Sequence, residues 1–289
     1  MTARGATASD AARPSAASSC EVGASGAPFD LAGGPDAALL LHGLTGSPFE
    51  MRHVAERLSA RGVRCLGPVM AGHGGDPGAL RDLSWMDWVE QARRDLARLD
   101  GARRTFVVGC SMGALVACAL AHALPARVDG LALLAPALRL SWAGRLAALL
   151  ARRTHLAAVV PYLSKRGGSD VRDAEMRRAN PCMYAIPLSA VGELAGLALH
   201  VERLLPEIAA PAIVIAGARD HTVKLDGVRR LARRIGSGPA RLVVLPRSFH
   251  LVGVDVERDR CADEVATFLT GLPASGAGAS GKGEPCARS

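Results

Sequence analysis

A chain of 289 residues that is 49% hydrophobic can bury one large core, and with 3% aromatic residues that core is built mainly from Ala, Val and Leu. The formal net charge of +8 is spread over Arg pairs such as Arg93 and Arg94 or Arg233 and Arg234, with no dense basic run and no stacking-aromatic platform, which argues against nucleic acid as a partner. Seven Cys at irregular spacing, never as C-x-x-C, argue against a disulfide framework or zinc knuckle and suit reduced thiols in the cytosol.

Residues 1 to about 35 and 271 to 289 are rich in Ala, Ser and Gly, a composition that reads as two flexible tails. No unbroken apolar run near the start resembles a signal peptide, and Arg139, Arg145, Arg152 and Arg153 interrupt the Leu- and Ala-rich stretch 131 to 163. The expectation is a soluble, cytoplasmic protein. "AALLLHG" at 37 to 43 reads as a buried strand, followed by a helix from Ser47 to Arg61 with Ser47 as cap, Pro48 in the first turn and Glu50 as capping-box partner. Gly62 stops it. A strand at 63 to 68 leads to a loop at Gly72 to Gly75, a helix over 84 to 99, a strand at 105 to 108 and a helix running to Leu124. "GLALLAP" at 130 to 136 is the next strand.

From 137 to 206 the strand rhythm stops, and amphipathic helices separated by Pro161, Pro181 and Pro187 read as an inserted cap. Strands resume at 211 to 217 and 240 to 246, each followed by a helix, 224 to 235 and 257 to 270. Alternating strands and helices imply an α/β architecture around a parallel sheet. The chain then divides into a core of 36–136 and 207–270, a cap of 137–206, and the two tails.

Gly109, Ser111 and Gly113 form G-x-S-x-G where strand 105 to 108 turns into a helix. Such a turn forces the central residue into strained dihedrals, excludes larger side chains two positions away and exposes the hydroxyl above the sheet edge. A serine hydroxyl is a weak nucleophile until a base takes its proton and an acid orients that base. Asp220 in "GARDH" and His250 in "RSFH" each follow a strand, so both would emerge at the same sheet edge as Ser111. Taken singly, Asp220 also reads as a turn cap and His250 as a loop residue; jointly, Ser, Asp and His in that order point to nucleophilic catalysis. His221 adjoins Asp220, but neighbouring side chains diverge, so it is not the expected base. His53, His122, His155 and His200 read as structural, and His73 as a residue bordering the site. "LHGLTG" at 41 to 46 can turn the amide of Leu44 inward beside that of Met112, as two donors for an oxyanion, with His42 bracing the turn.

The segments "LLLHGLTGSPFEMR", "GHGGDP", "VVGCSMGAL", "PAIVIAGARDHTV" and "SFHLVGVDVERD" resemble the α/β-hydrolases, in particular the bacterial carboxylesterase and monoacylglycerol lipase group with its serine aminopeptidase-like members, over about residues 36 to 270. The resemblance implies a mostly parallel sheet with helices on both faces and an inserted helical cap. It also implies Ser111 as nucleophile, Asp220 as acid, His250 as base, and the amides of Leu44 and Met112 as oxyanion donors. Two positions depart from the group: Ala114 where a second Gly often follows the elbow, and Phe249 where a Gly often precedes the His. The bulk of Phe249 would narrow the pocket or alter the His loop.

These residues lead to hydrolysis of a small ester of short to medium acyl length or monoacylglycerol type, with no metal or organic cofactor required. Leu138, Leu140, Trp142, Leu146, Leu149 and Leu150 offer an apolar lining for an acyl chain. A thioesterase, an amidase or peptidase, or an acyltransferase would use the same three residues, because the leaving group is read by the pocket. A non-catalytic binding protein on the same fold has no need of all three. Arg-flanked cap helices leave room for transient lipid contact, and the sequence does not set the oligomeric state.

Overall fold

The structure is a computed structural model that describes residues 26–151, 162–165 and 167–273, with the side chains of residues 150 and 151 left aside. Six of the seven strands of the main sheet are parallel: β2 (Asp36–Leu41), β3 (Val63–Gly67), β4 (Thr105–Cys110), β5 (Gly130–Leu134), β8 (Ala212–Gly217) and β9 (Arg241–Leu245). They run as near-continuous apolar stretches because both sheet faces are covered. Successive residues of β2 show it: Ala37, Leu39 and Leu41 join one core, Ala38 and Leu40 the other. The first core holds α2 (Trp85–Ala97), α3 (Met112–Ala123) and α7 (Leu225–Arg234); the second holds α1 (Phe49–Ser59) and α8 (Arg258–Thr270).

With β1 (Phe29–Leu31) at one edge, the strand order is β1-β3-β2-β4-β5-β8-β9. The chain steps from β2 to β3 on one side and returns to β4 on the other, so the loops after β2 and β4 part at a topological switch point, where open sheets leave a crevice. No helix among the described residues is long and apolar enough to cross a membrane. Cys65, Cys110, Cys118, Cys182 and Cys261 are buried and unpaired, and burial pushes the Cys65 and Cys118 thiols up to about 12.

The structure differs from the sequence-based expectations in three places. β1 (Phe29–Leu31) lies inside the expected N-terminal tail and pairs antiparallel to β3. Three residues carry no readable period; what fixes them is the Phe29 ring, seated where Gly67 has no Cβ, and the Arg64–Asp30 ion pair at 2.8 Å. Leu272 likewise belongs to the body, its carbonyl accepting from Arg104. Of the two expected tails, residues 1–25 and 274–289 lie outside the described residues. The second difference is at α1, which starts at Phe49 with no side-chain cap. Ser47 and Glu50 face the interior, because the loop entering the helix is itself buried. Ser84, by contrast, does form a capping box with Asp87 at the start of α2. Third, the segment 137–206 holds α4 (Trp142–Ala151), α5 (Ala174–Ala179) and α6 (Leu188–Leu204), and also an antiparallel hairpin of β6 (Tyr162–Ser164) and β7 (Ala185–Pro187). Its strands are too short to alternate visibly, and Pro187 in one of them argues against a strand by sequence.

Candidate active site

Backbone sterics place Ser111. Its φ of 54° lies in the region L side chains avoid. A Cβ on Gly109 would strike the Gly113 carbonyl, and one on Gly113 would strike the carbonyls of Leu41 and His42. Both positions therefore require glycine. The turn is anchored by the Ser111 amide, which donates to the Leu134 carbonyl at 2.8 Å.

β8 and β9 deliver the other two groups. The Ser111 hydroxyl lies 2.9 Å from His250 Nε2, and His250 Nδ1 donates to Asp220 Oδ2 at 2.7 Å. Asp220 Oδ1 accepts from the amides of Thr222 and Val223 at 2.8 and 2.7 Å, so the carboxylate is fixed from both ends. Burial favours the neutral carboxyl of Asp220, but the imidazole and the two amides outweigh it and hold the group below its usual range. Burial likewise opposes charge on His250, and the Asp220 carboxylate, helped by Asp170 and Glu50, lifts it above its ordinary value.

On the other side of β4 the start of the loop after β2 is braced by the His42 ring. The Met70 amide donates to His42 Nε2 at 3.0 Å, so Nδ1 carries the ring proton and donates to the Gly43 carbonyl at 2.9 Å. The Gly46 amide donates to the same carbonyl at 3.1 Å. In a trans peptide the next N–H points opposite to that carbonyl, so fixing the Gly43 oxygen aims the Leu44 amide. Neither the Leu44 nor the Met112 amide donates to another group among the described residues. His73, expected to border the site, packs edge-on against His42 with ring centres 5.0 Å apart, behind the loop. Thr45 has a φ of 64°, a strained value for a β-branched residue, and its carbonyl accepts from the Met183 amide at 2.8 Å.

A cavity of about 390 Å³ opens above Ser111 and His250, within the usual size range of small-molecule sites. Leu140, Ala143, Ala147, Leu163, Ile186 and Leu194 form its apolar wall, and Lys165 and Glu50 reach its polar end. The expected acyl lining is only partly realised: Leu140 faces the cavity and Leu138 is in the core, whereas Trp142 (73% exposed), Leu146 and Leu149 face outward. α4 is apolar nearly all round, so the sequence could not tell which face turns inward. The Leu150 side chain lies outside the described residues.

Glu50 is 3% exposed and accepts from the Gly43 amide at 3.2 Å; burial raises its carboxyl pKa. Sequence reasoning gave it a capping role instead, although the absent Cβ of Gly46, which leaves room for this carboxyl, was a usable signal. Ala114 is fully buried, and the Phe249 ring packs edge-on against His221 at 4.6 Å, outside the cavity wall. Among the remaining histidines, His53 bonds Asp259, His122 bonds Glu207 and His200 stacks on Trp85, whereas His155 lies outside the described residues.

A doubly covered parallel sheet with a serine on a strained strand-to-helix elbow, bonded to a histidine and an aspartate from later strand ends, defines an α/β-hydrolase. The family described as "Serine aminopeptidase, S33" matches residues 35–257, and the chain belongs to it. A thermostable monoacylglycerol lipase of Bacillus sp. is 27% identical over 243 residues, covering 84% of this chain and 93% of that protein. A carboxylesterase of Bacillus subtilis is 23% identical over 248 residues, 85% and 96% of the two chains. Among solved structures, one reported for the metagenome-derived lipolytic enzymes LipS and LipT superimposes with a TM-score of 0.77 at 25% identity, covering 86% of this chain and 98% of that one. The monoacylglycerol lipase of Paleococcus ferrophilus gives 0.72 at 18% identity, with coverages of 85% and 98%.

Proposed function

We propose that the protein hydrolyses carboxylic esters, of short to medium acyl length or monoacylglycerol type, through an acyl-enzyme on Ser111. The supporting observation is the continuous hydrogen-bonded chain from Asp220 Oδ2 through His250 to Ser111 Oγ, 2.7 and 2.9 Å long, at the floor of an apolar cavity. Ser111 Oγ attacks the ester carbonyl as its proton passes to His250 Nε2. The amides of Leu44 and Met112 receive the negative oxygen, and Asp220 steadies the imidazolium. The C–O bond to the alcohol then breaks, and the proton on Nε2 goes to the leaving oxygen. Water, deprotonated by His250, releases the acid and restores Ser111. No step calls on a cofactor.

In this reading residues 36–136 and 207–270 are the catalytic body and 137–206 the cap. The two named relatives are a monoacylglycerol lipase and a carboxylesterase, which favours an ester over an amide. The outward Trp142, Leu146 and Leu149, with Arg145 between them, suit transient contact with a lipid surface. Unpaired buried cysteines suit the cytoplasm.

The test is labelling with a fluorophosphonate probe, followed by a series of nitrophenyl esters of rising acyl length and an aminoacyl nitroanilide. One equivalent bound at Ser111, lost in Ser111→Ala, with turnover of the esters, is the expected result. A folded protein that takes up no probe overturns the reading, and faster turnover of the anilide replaces ester with amide. Higher rates on micellar than on monomeric ester would report the lipid contact.

A further inference from the structure

Asp170 lies between β6 and α5, outside the parallel sheet, yet it touches both of the loops that bring His250 and Asp220 to Ser111. Its carbonyl accepts from the amides of His250 and Leu251 at 3.1 and 3.2 Å. Its carboxylate accepts from the His221 amide at 3.0 Å, from His221 Nδ1 at 2.8 Å and from the Thr222 hydroxyl at 3.1 Å. The Thr222 amide in turn holds Asp220. The contacts close a ring that runs from Asp170 through Thr222, Asp220 and His250 back to Asp170.

The ring compensates for a weakness of the fold. The β8–β9 ladder ends with Gly217 opposite Leu245, and beyond it the Ala218 amide bonds the Leu245 carbonyl at 2.8 Å and the Arg219 amide the Ser248 carbonyl at 3.2 Å. Asp220 and His250 lie past these bonds, on loops that the sheet no longer holds in register. A displacement of about 1 Å between a base and its partners is enough to cost about a hundredfold in rate.

We propose that Asp170 is a positioning residue for the hydrolysis described above: it locks the acid and base loops to each other and sets a second carboxylate beside His250. The inference rests on the reading of Ser111, Asp220 and His250 as the catalytic three. It makes the stretch around Asp170 a working part of the site, where a lid that swung away would take the lock with it.

The charged groups facing His250 are Asp220 on the loop after β8, Asp170 on the inserted segment and Glu50 on α1; Lys165, next to β6, acts on Glu50, and His221 is bonded to Asp170. A carboxylate near an imidazolium favours its proton. Removing the Asp170 charge therefore moves the acid limb of kcat/KM to lower pH, whereas a residue that served folding alone would leave that limb in place.

Asp170→Asn, Asp170→Ala and Thr222→Val test this, with kcat and KM on a nitrophenyl ester across pH, fluorophosphonate labelling rate and Tm measured for each. For Asp170→Ala we expect kcat to fall about tenfold or more with KM within about twofold, labelling slowed in step, and an acid limb below that of the unmodified protein. Both substitutions keep the main-chain carbonyl contacts; Asp170→Asn also keeps a side-chain oxygen that can accept from the His221 amide or the Thr222 hydroxyl, and should lose less rate while moving the limb the same way. Folded Asp170 variants with unchanged kcat and an unmoved limb overturn the proposal. Should both fail to fold, Thr222→Val decides it: a slower kcat supports the lock, an unchanged one overturns it. Failure of the underlying reading shows itself elsewhere, as full turnover in Ser111→Ala.

Discussion

His42 and His250 stand on loops that approach Ser111 from the two sides of β4, both buried, and their environments drive them in opposite directions. His42 has only neutral neighbours, a carbonyl, an amide and the His73 ring; burial, together with His73, lowers its pKa to about 3. His250 is buried as deeply, but carboxylates surround it and its pKa rises. Depth alone does not set the charge of a histidine. What the chain places within hydrogen-bond reach decides whether the ring is a permanently neutral brace or a base that titrates.

The comparison breaks most severely at its titrating arm. His250→Ala should lower turnover by about 10⁶-fold while Tm holds within a few degrees, since the remaining donors and cavity supply only residual rate. In the unmodified protein, the acid limb of kcat/KM should lie above the ordinary histidine value of about 6.5, because the base works only when neutral. A limb below that value would contradict the carboxylate environment described.

A smaller loss is expected at the brace. His42→Ala leaves the Gly43 carbonyl held by Gly46 alone, so the Leu44 amide loses its aim and kcat should fall about a hundredfold, the cost of one oxyanion donor. Its acid limb should coincide with that of the unmodified protein, because His42 stays neutral throughout that range. A pH–rate profile that moves with this substitution would erase the distinction between the two histidines.

The finest test is Glu50→Gln, which keeps an oxygen for the Gly43 amide and removes the charge. We expect a change in kcat of no more than a few-fold. Burial raises the Glu50 pKa in the folded state, so the stability it contributes is present at pH values below the unfolded pKa and is lost as pH rises through the folded one. Gln has no such loss, and the variant should gain more in Tm at pH 8 than at pH 5. Equal gains at both would show that the carboxyl is already satisfied where it sits.

The convergence of Ser111, Asp220 and His250 was legible in the sequence because each follows an apolar strand run, and a strand end fixes where a side chain emerges. The elbow was legible because its two glycines have a steric reason that survives without coordinates. β1 and the β6–β7 hairpin were not legible, since three-residue strands show no alternation and depend on partners far away in the chain. Glu50 read as a helix-capping residue because local pattern cannot tell a solvent-facing first turn from a buried one. Asp170 carries no motif, and its role exists only once three segments meet.

Cys110 directly precedes Ser111, and the sulphur and the hydroxyl are sent to different fates because the strand ends at one and the elbow turns at the other. The thiol is packed into the core between β4 and α1, with its pKa driven upward by burial. Electrophiles selective for sulphur should pass this site by, oxidants should leave catalysis intact, and a reagent able to modify either atom would report on oxygen alone.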